Sequence, residues 1–172
     1  MKFNTKLLHG KAGRNTPDGA TLPGISQVSA FSYDSAEHLE KVFGNKSPGF
    51  AYTRIGNPTV AAFEQRINEV EGGTGAVACA SGMAAITVAL LNVLSAGDEI
   101  IAGSGLFGGT IDLFKDLEAF GITTHFIPHI TVEDIKPVLN QNIKAVFGEI
   151  IGNPGLDVVN IKEVSDFLHE NG

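Results

Sequence analysis

Four short segments carry residue types suited to chemistry, and each stands where the chain turns. In CASGMAA, residues 79–85, an apolar run passes through Ser81-Gly82 straight into an apolar helix. The unpaired N–H groups of a helix start and the positive end of its dipole point at one place, so this geometry suits an anion such as phosphate. Ser81 adds a hydroxyl and Gly82 allows close approach to the backbone, although Ser is equally at home as a plain helix cap. In YTRIGNPT, residues 52–59, Tyr52 and Arg54 sit two apart. In extended backbone that spacing puts both side chains on one side, and an arginine forks well around phosphate. The bland alternative is a surface arginine beside a tyrosine packed on the core.

GSGLFGG, residues 103–109, matches G-x-G-x-x-G through Gly103, Gly105 and Gly108. A dinucleotide site of that type wants an acid about 20 residues on, at the end of the next strand. That strand ends Phe126-Ile127-Pro128-His129, and Glu133 stands too far along. The fourth segment, GEIIGNPGLDVVNI at 148–161, brings Glu149 and Asn153 to the end of a strand, where open α/β sheets bind ligands; Asn-Pro-Gly alone is also an ordinary turn.

These segments need a scaffold that presents strand ends. Apolar runs at 76–80, 99–102, 123–127 and 144–150 read as strands, and helical patterns at 82–94, 109–120, 132–139 and 161–170 separate or follow them. Alternation of this kind specifies an α/β fold with a mostly parallel sheet and right-handed crossovers. Before it, residues 1–33 lack a sustained period and read as an extended arm, followed by a short helix from Asp34 to a closing Gly44. Asn57-Pro58 opens a longer helix with Val60, Phe63, Ile67 and Val70 on one face, ended by Gly72-Gly73. The expected organisation is an arm and short helix over 1–57 and a larger α/β domain over 58–172, with no repeat.

Composition removes several classes of function. With 43% hydrophobic and 18% charged residues the chain is an ordinary globular sequence. Its net charge of −7, with no basic cluster, argues against nucleic acid and anionic membranes as partners. No run approaches a membrane span and the N-terminus lacks a signal-peptide core, so a cytoplasmic location is expected. Cys79, set in AVACA, reads as a small buried residue, and the five histidines show no metal-ligand spacing, so no metal is expected. Neither a G-x-S-x-G elbow nor a G-x-x-x-x-G-K-[ST] loop is present.

Taken in order, TLPGISQVSAFSY, YTRIGNPT, CASGMAA, LFGGT and EIIGNPGLDVVNI resemble successive blocks of the Cys/Met metabolism pyridoxal-phosphate enzymes, over essentially the whole chain. The Ile-Gly-Asn-Pro blocks look most like those of the O-acetylhomoserine sulfhydrylases; cystathionine γ-synthase, cystathionine γ-lyase and methionine γ-lyase are near relatives. The resemblance implies the first part of a fold-type I large domain and pyridoxal 5'-phosphate as cofactor. It assigns the phosphate to Ser81, Gly82 and Met83, the ring face to Phe107, a further cofactor contact to Asn153, and Tyr52 and Arg54 to the phosphate of a neighbouring subunit. Phe107 replaces the family's tyrosine, keeping the stacking surface but losing the hydroxyl. Glu149 falls at a ring-flanking acid.

The same resemblance implies a chain more than twice as long. The lysine that forms the Schiff base, the aspartate facing the pyridine nitrogen and the substrate-carboxylate arginine would lie beyond Gly172. The lysines at 2, 6, 11, 41, 46, 115, 136, 144 and 162 occur in no such block, so no catalytic residue is assigned. The expectation is therefore the N-terminal part of a sulfhydrylase with a small amino-acid substrate, inactive alone and associating with other copies or with a complementary C-terminal half. A phosphate- or partner-binding module without chemistry, and a dinucleotide-binding domain resting on GSGLFG, are the competing readings.

Overall fold

The computed structural model describes residues 2–10 and 19–171, so the stretch of the expected arm at 11–18 lies outside the described residues. Its internal contacts divide the chain into two compact units, Met1–Ala78 and Cys79–Gly172. The boundary expected at residues 57 and 58 falls inside the first unit.

In the first unit, helix α1 (Phe3–His9) replaces part of the extended arm expected from the sequence. It lacks a side-chain cap and is too short to hold itself in water. Arg66, on helix α3 (Pro58–Glu71), supplies what is missing: its Nη1 donates to the Lys6 and Leu7 carbonyls at 2.8 Å each, pairing acceptors at the open end of α1. Between α1 and α3 lies α2 (Ala36–Phe43), capped by Ser35, whose side chain accepts from the His38 N–H, and closed at Gly44 as its sequence predicts.

Asn57 fastens the arm to the start of α3. It is only 5% exposed, yet its polar groups are used: Oδ1 accepts from the Thr59 N–H at 2.9 Å, and Nδ2 donates to the Ser26 carbonyl at 3.1 Å and to Thr53 Oγ1 at 3.0 Å. Ser26 N–H in turn donates to Thr59 Oγ1. The far end of α3 closes at Gly72, whose φ of 70° is the left-handed conformation that suits glycine there. Of the apolar stripe expected on this helix, Val60, Phe63 and Ile67 remain exposed.

The second unit holds α4 (Gly82–Val93), β1 (Glu99–Gly103), α5 (Gly108–Leu117) with a 3₁₀ turn at Glu118–Phe120, β2 (Thr123–Ile127), α6 (Val132–Ile135), β3 (Ile143–Phe147) and α7 (Ile161–Glu170). The three strands run parallel in the order β2-β1-β3. β1 is buried on both faces: Ile100 and Ala102 join Leu90, Phe114 and Ile122 on one, and Ile101 meets Ile127, Ile135 and Val164 on the other. The two-residue alternation of a strand thus feeds two cores at once. Phe114 of α5, fully buried, sets its ring edge-on to Phe147 with 5.3 Å between centroids.

Three expected elements differ. Residues 76–80 do not form a strand: the chain there has no regular structure, Val77 is 81% exposed, and apolar composition cannot make a strand without a ladder partner. Cys79, within it, is only half-buried rather than buried. α6 stops at Ile135 instead of continuing to 139, because Pro137 has no N–H to give to the helix. β3 ends at Phe147, short of residue 150, where Gly148 passes so close to Ile130 that an added Cβ would lie 2.8 Å from its side chain.

At the amino edge of the sheet, Glu99 gathers Asn140 Nδ2 (2.9 Å), His125 Nε2 (2.6 Å) and Asn142 Nδ2 (3.3 Å). Hydrogen bonds from Asn140 first, then from His125 and Asn142, hold its carboxyl below the ordinary value of 4.5. A depressed folded-state value contributes stability above the unfolded value and loses it as the pH falls through the folded one. Chemical denaturation at pH 6 and pH 3 is therefore expected to show a smaller acid-induced loss for Glu99→Gln than for the wild type. Asn57→Ala is expected to lower stability by about 1–3 kcal/mol, read by denaturant midpoint at pH 7, because the Ser26 carbonyl and the Thr59 N–H both lose their partner.

Candidate functional site

α4 begins with Ser81 in extended conformation, and its Oγ accepts from the Ala84 N–H at 3.1 Å. The first intrahelical bond runs from Ala85 N–H to the Ser81 carbonyl, so Gly82 and Met83 contribute first-turn donors that the helix itself does not use. Among the described residues, nothing beyond its chain neighbours and its own helix backbone lies within 4 Å of where a Gly82 Cβ would stand. The Ser81 hydroxyl proton, the helix dipole and an open approach over Gly82 together fit a phosphate. Ser81 is thus a cap in fact, and capping leaves its donor capacity intact.

The first turn of α5 lies alongside. Met83 Sδ stands 4.0 Å from Thr110 Oγ1, which joins the two helix starts. Phe107 is the residue before α5 and is 53% exposed, a large aromatic left open to solvent at the helix start. Gly109 makes that posture possible: a Cβ there would meet the ring edge at 2.7 Å. Glu149, just after β3, reaches back so that its Oε1 accepts the Phe107 N–H at 2.7 Å. Asn153 follows in the same loop; its N–H donates to the Gly105 carbonyl at 3.1 Å, its peptide bond to Pro154 is cis, and the residue is exposed.

The structure therefore brings Ser81, Gly82, Met83, Phe107, Glu149 and Asn153 to adjacent loops of one unit, at or beside the carboxyl edge of the sheet. A cleft of about 210 Å³ opens at that edge, with His129, Thr131, Glu149 and Asp157 on its wall. Among the described residues, no group of three or more His, Cys, Asp or Glu is placed to hold a metal. No helix of the described residues is long and apolar enough to cross a membrane.

Tyr52 and Arg54 belong to the first unit. They do converge, since the guanidinium carbon of Arg54 lies 5.2 Å from the Tyr52 ring centroid. The reason differs from the one read in the sequence. Instead of extended backbone, a turn carries them, closed by Ile55 and Gly56 N–H groups on the Tyr52 carbonyl, and the antiparallel bridge from Tyr52 to Ala30 anchors it. Gly109 is the site residue that motif reading missed; the only signal for it was the Gly-Gly pair directly after an aromatic.

A parallel sheet with an open, Ser-capped helix start and an exposed aromatic at its carboxyl edge defines an α/β domain. Solved structures agree. A putative O-acetylhomoserine (thiol)-lyase from Campylobacter jejuni, containing a pyridoxyl-lysine phosphate, matches with a TM-score of 0.87 at 30% identity over 99% of this chain and 42% of its own. Cystathionine γ-lyase from Lactobacillus plantarum, complexed with L-serine, matches with a TM-score of 0.86 at 32% identity, covering 99% and 42%. These likenesses make the fold that of a fold-type I pyridoxal-phosphate enzyme.

The family described as Cys/Met metabolism PLP-dependent enzyme matches residues 4–172, and the chain belongs to it. Among curated relatives, O-acetyl-L-homoserine sulfhydrylase from Corynebacterium glutamicum is 40% identical over 171 residues, which span 98% of this chain and 39% of that protein. L-Methionine γ-lyase from Fusobacterium nucleatum subsp. polymorphum is 35% identical over 170 residues, spanning 98% and 43%. The chain thus spans about two fifths of the relatives it matches.

Gly109→Ala tests the ring geometry without any ligand. The substitution favours helix by up to about 1 kcal/mol, so the fold is retained. The Phe107 ring, facing a Cβ inside contact distance, is expected to swing away, seen as shifted ring-proton resonances with unchanged far-UV circular dichroism.

Proposed function

We propose that this chain provides the phosphate cradle and one ring face for pyridoxal 5'-phosphate, with the phosphate on Ser81, Gly82 and Met83, the ring against Phe107, and Asn153 as a further contact. The observation that carries the reading is the open start of α4 beside the exposed Phe107 ring, in a chain of a pyridoxal-phosphate family. When bound, the cofactor supplies an electron sink for a carbanion at the substrate Cα. The chain's own residues bind and orient it: first-turn donors neutralise phosphate charge, and the phenyl face excludes water from one side of the ring. In the assembled protein, Tyr52 and Arg54 reach the phosphate of a neighbouring subunit's cofactor.

For the whole protein the favoured activity is replacement of the acetoxy group of O-acetylhomoserine by sulfide or a thiol, the Cγ–O bond giving way to a Cγ–S bond, to yield homocysteine or a thioether with release of acetate. Support comes from the higher identity to the sulfhydrylase, 40% against 35% for the methionine γ-lyase. The 172 residues alone are proposed to bind without turnover. Lys115 pairs with Asp112 at 3.3 Å, Lys162 with Asp166 at 2.5 Å, and Lys144 reaches the Gln141 carbonyl from the amino end of β3. Among the described residues, no lysine lines the cleft at the carboxyl edge.

Equilibrium dialysis of the pure chain should detect pyridoxal 5'-phosphate binding that inorganic phosphate competes away. Gly82→Val, which fills the open approach, should weaken it by about tenfold, a loss of one phosphate contact. Binding unaffected by either would overturn the cradle. Sulfhydrylase turnover by the 172-residue chain would overturn the assignment of catalysis to residues outside it.

A further inference from the structure

We propose that Glu149 is a positioning residue for the Phe107 ring: it holds the backbone that carries the ring and thereby sets where the ring plane stands. The inference deepens the cofactor reading and rests on Phe107 being the stacking surface.

α5 starts without local help. Phe107, in the capping position, makes no side-chain cap bond, and Gly108 and Gly109 have no side chains to offer. Two successive glycines also leave the 107–109 backbone free to wander. An acceptor must come from elsewhere, and Glu149, 42 residues on, provides it at 2.7 Å. Its negative charge suits the positive end of α5, which strengthens the contact.

The carboxylate is itself held. Glu149 is half-buried and stands two residues past β3, whose register against the buried β1 is fixed from Ile100 to Ala102. Downstream, the Gly152 N–H donates to the Asp157 carbonyl at 2.8 Å, and the Asn153 N–H donates to the Gly105 carbonyl. Glu149 therefore stands between two anchored stretches, and the 105–107 loop is tied to this loop at both Gly105 and Phe107. With Gly109 beneath the ring, the backbone bond and the missing Cβ fix the ring from two directions. The charge has a second effect: a carboxylate at the start of α5 repels an anion there, leaving the α4 start as the place for phosphate.

The test compares Glu149→Ala and Glu149→Gln with the wild-type chain, using pyridoxal 5'-phosphate and inorganic phosphate as separate probes and amide hydrogen exchange at Phe107 as a ligand-free readout. In the wild type, the 2.7 Å bond to Glu149 is expected to slow exchange at the Phe107 amide. Glu149→Ala should release it and weaken pyridoxal 5'-phosphate by about five- to tenfold, the worth of one hydrogen bond, with inorganic phosphate changed less than about twofold. Glu149→Gln, which keeps an acceptor oxygen, should retain protection and stay within about threefold of wild-type affinity.

A Phe107 amide unprotected in the wild type, or a Glu149→Ala chain that keeps protection and cofactor affinity, overturns the proposal. Equal weakening of both probes also overturns it, because that pattern means general damage. A wild type that protects the Phe107 amide but binds no pyridoxal 5'-phosphate overturns the cofactor reading and leaves the Glu149 clamp standing.

Discussion

Each α-helix opens with N–H groups that its own backbone cannot pair, and much of this molecule can be understood from how those donors are met. Ser35, Asn57, Ser81, Thr131 and Asn160 each turn a side-chain oxygen onto the turn they precede. These local caps fix where helices begin, and so where loops must end. α1 and α5 have no such cap, and α5, which begins with an aromatic and two glycines, takes its acceptor from a distant carboxylate. The two helix starts with functional interest differ in this one respect. α4 is capped in a way that leaves donors facing outward, and α5 has a negative charge already at its door.

The sheet makes both starts neighbours. β1 sits between β2 and β3 with both faces buried, so its end at Gly103 is among the best-fixed points of the unit. Ser104 reinforces it, with N–H and Oγ both donating to the Ile127 carbonyl at 2.8 Å. From there the chain takes four residues to reach Gly108, and the loop after β3 closes over the same stretch through Gly105 and Phe107. Packing energy stored in aliphatic side chains is thereby converted into placement of a ring and a helix end.

What could be read in the sequence was what local chemistry decides. The Asn57-Pro58 start, the Gly72 stop, the bounds of β2 and of α7 and the Ser81-capped start of α4 all follow from residues within a few positions of the event. The misreadings came from partners far along the chain. α1 exists because Arg66 accommodates its carbonyls, some 60 residues later. The apolar run at 76–80 had strand composition but nothing to pair with among the described residues. Tyr52 and Arg54 meet through a turn that alternation cannot foresee, and Gly109 is explained only by a ring folding back over it. Pro137, by contrast, is a local signal for the early end of α6.

A phenylalanine at position 107 also decides how this face of the site responds to its surroundings. A phenol can give up a proton and acquire charge; a phenyl ring has no such state. The exposed phenyl group of Phe107 therefore carries the same neutral quadrupole in acid and in base, a surface indifferent to pH. Any proton exchanged beside it must be carried by another group, and the ring is left with a purely geometric duty.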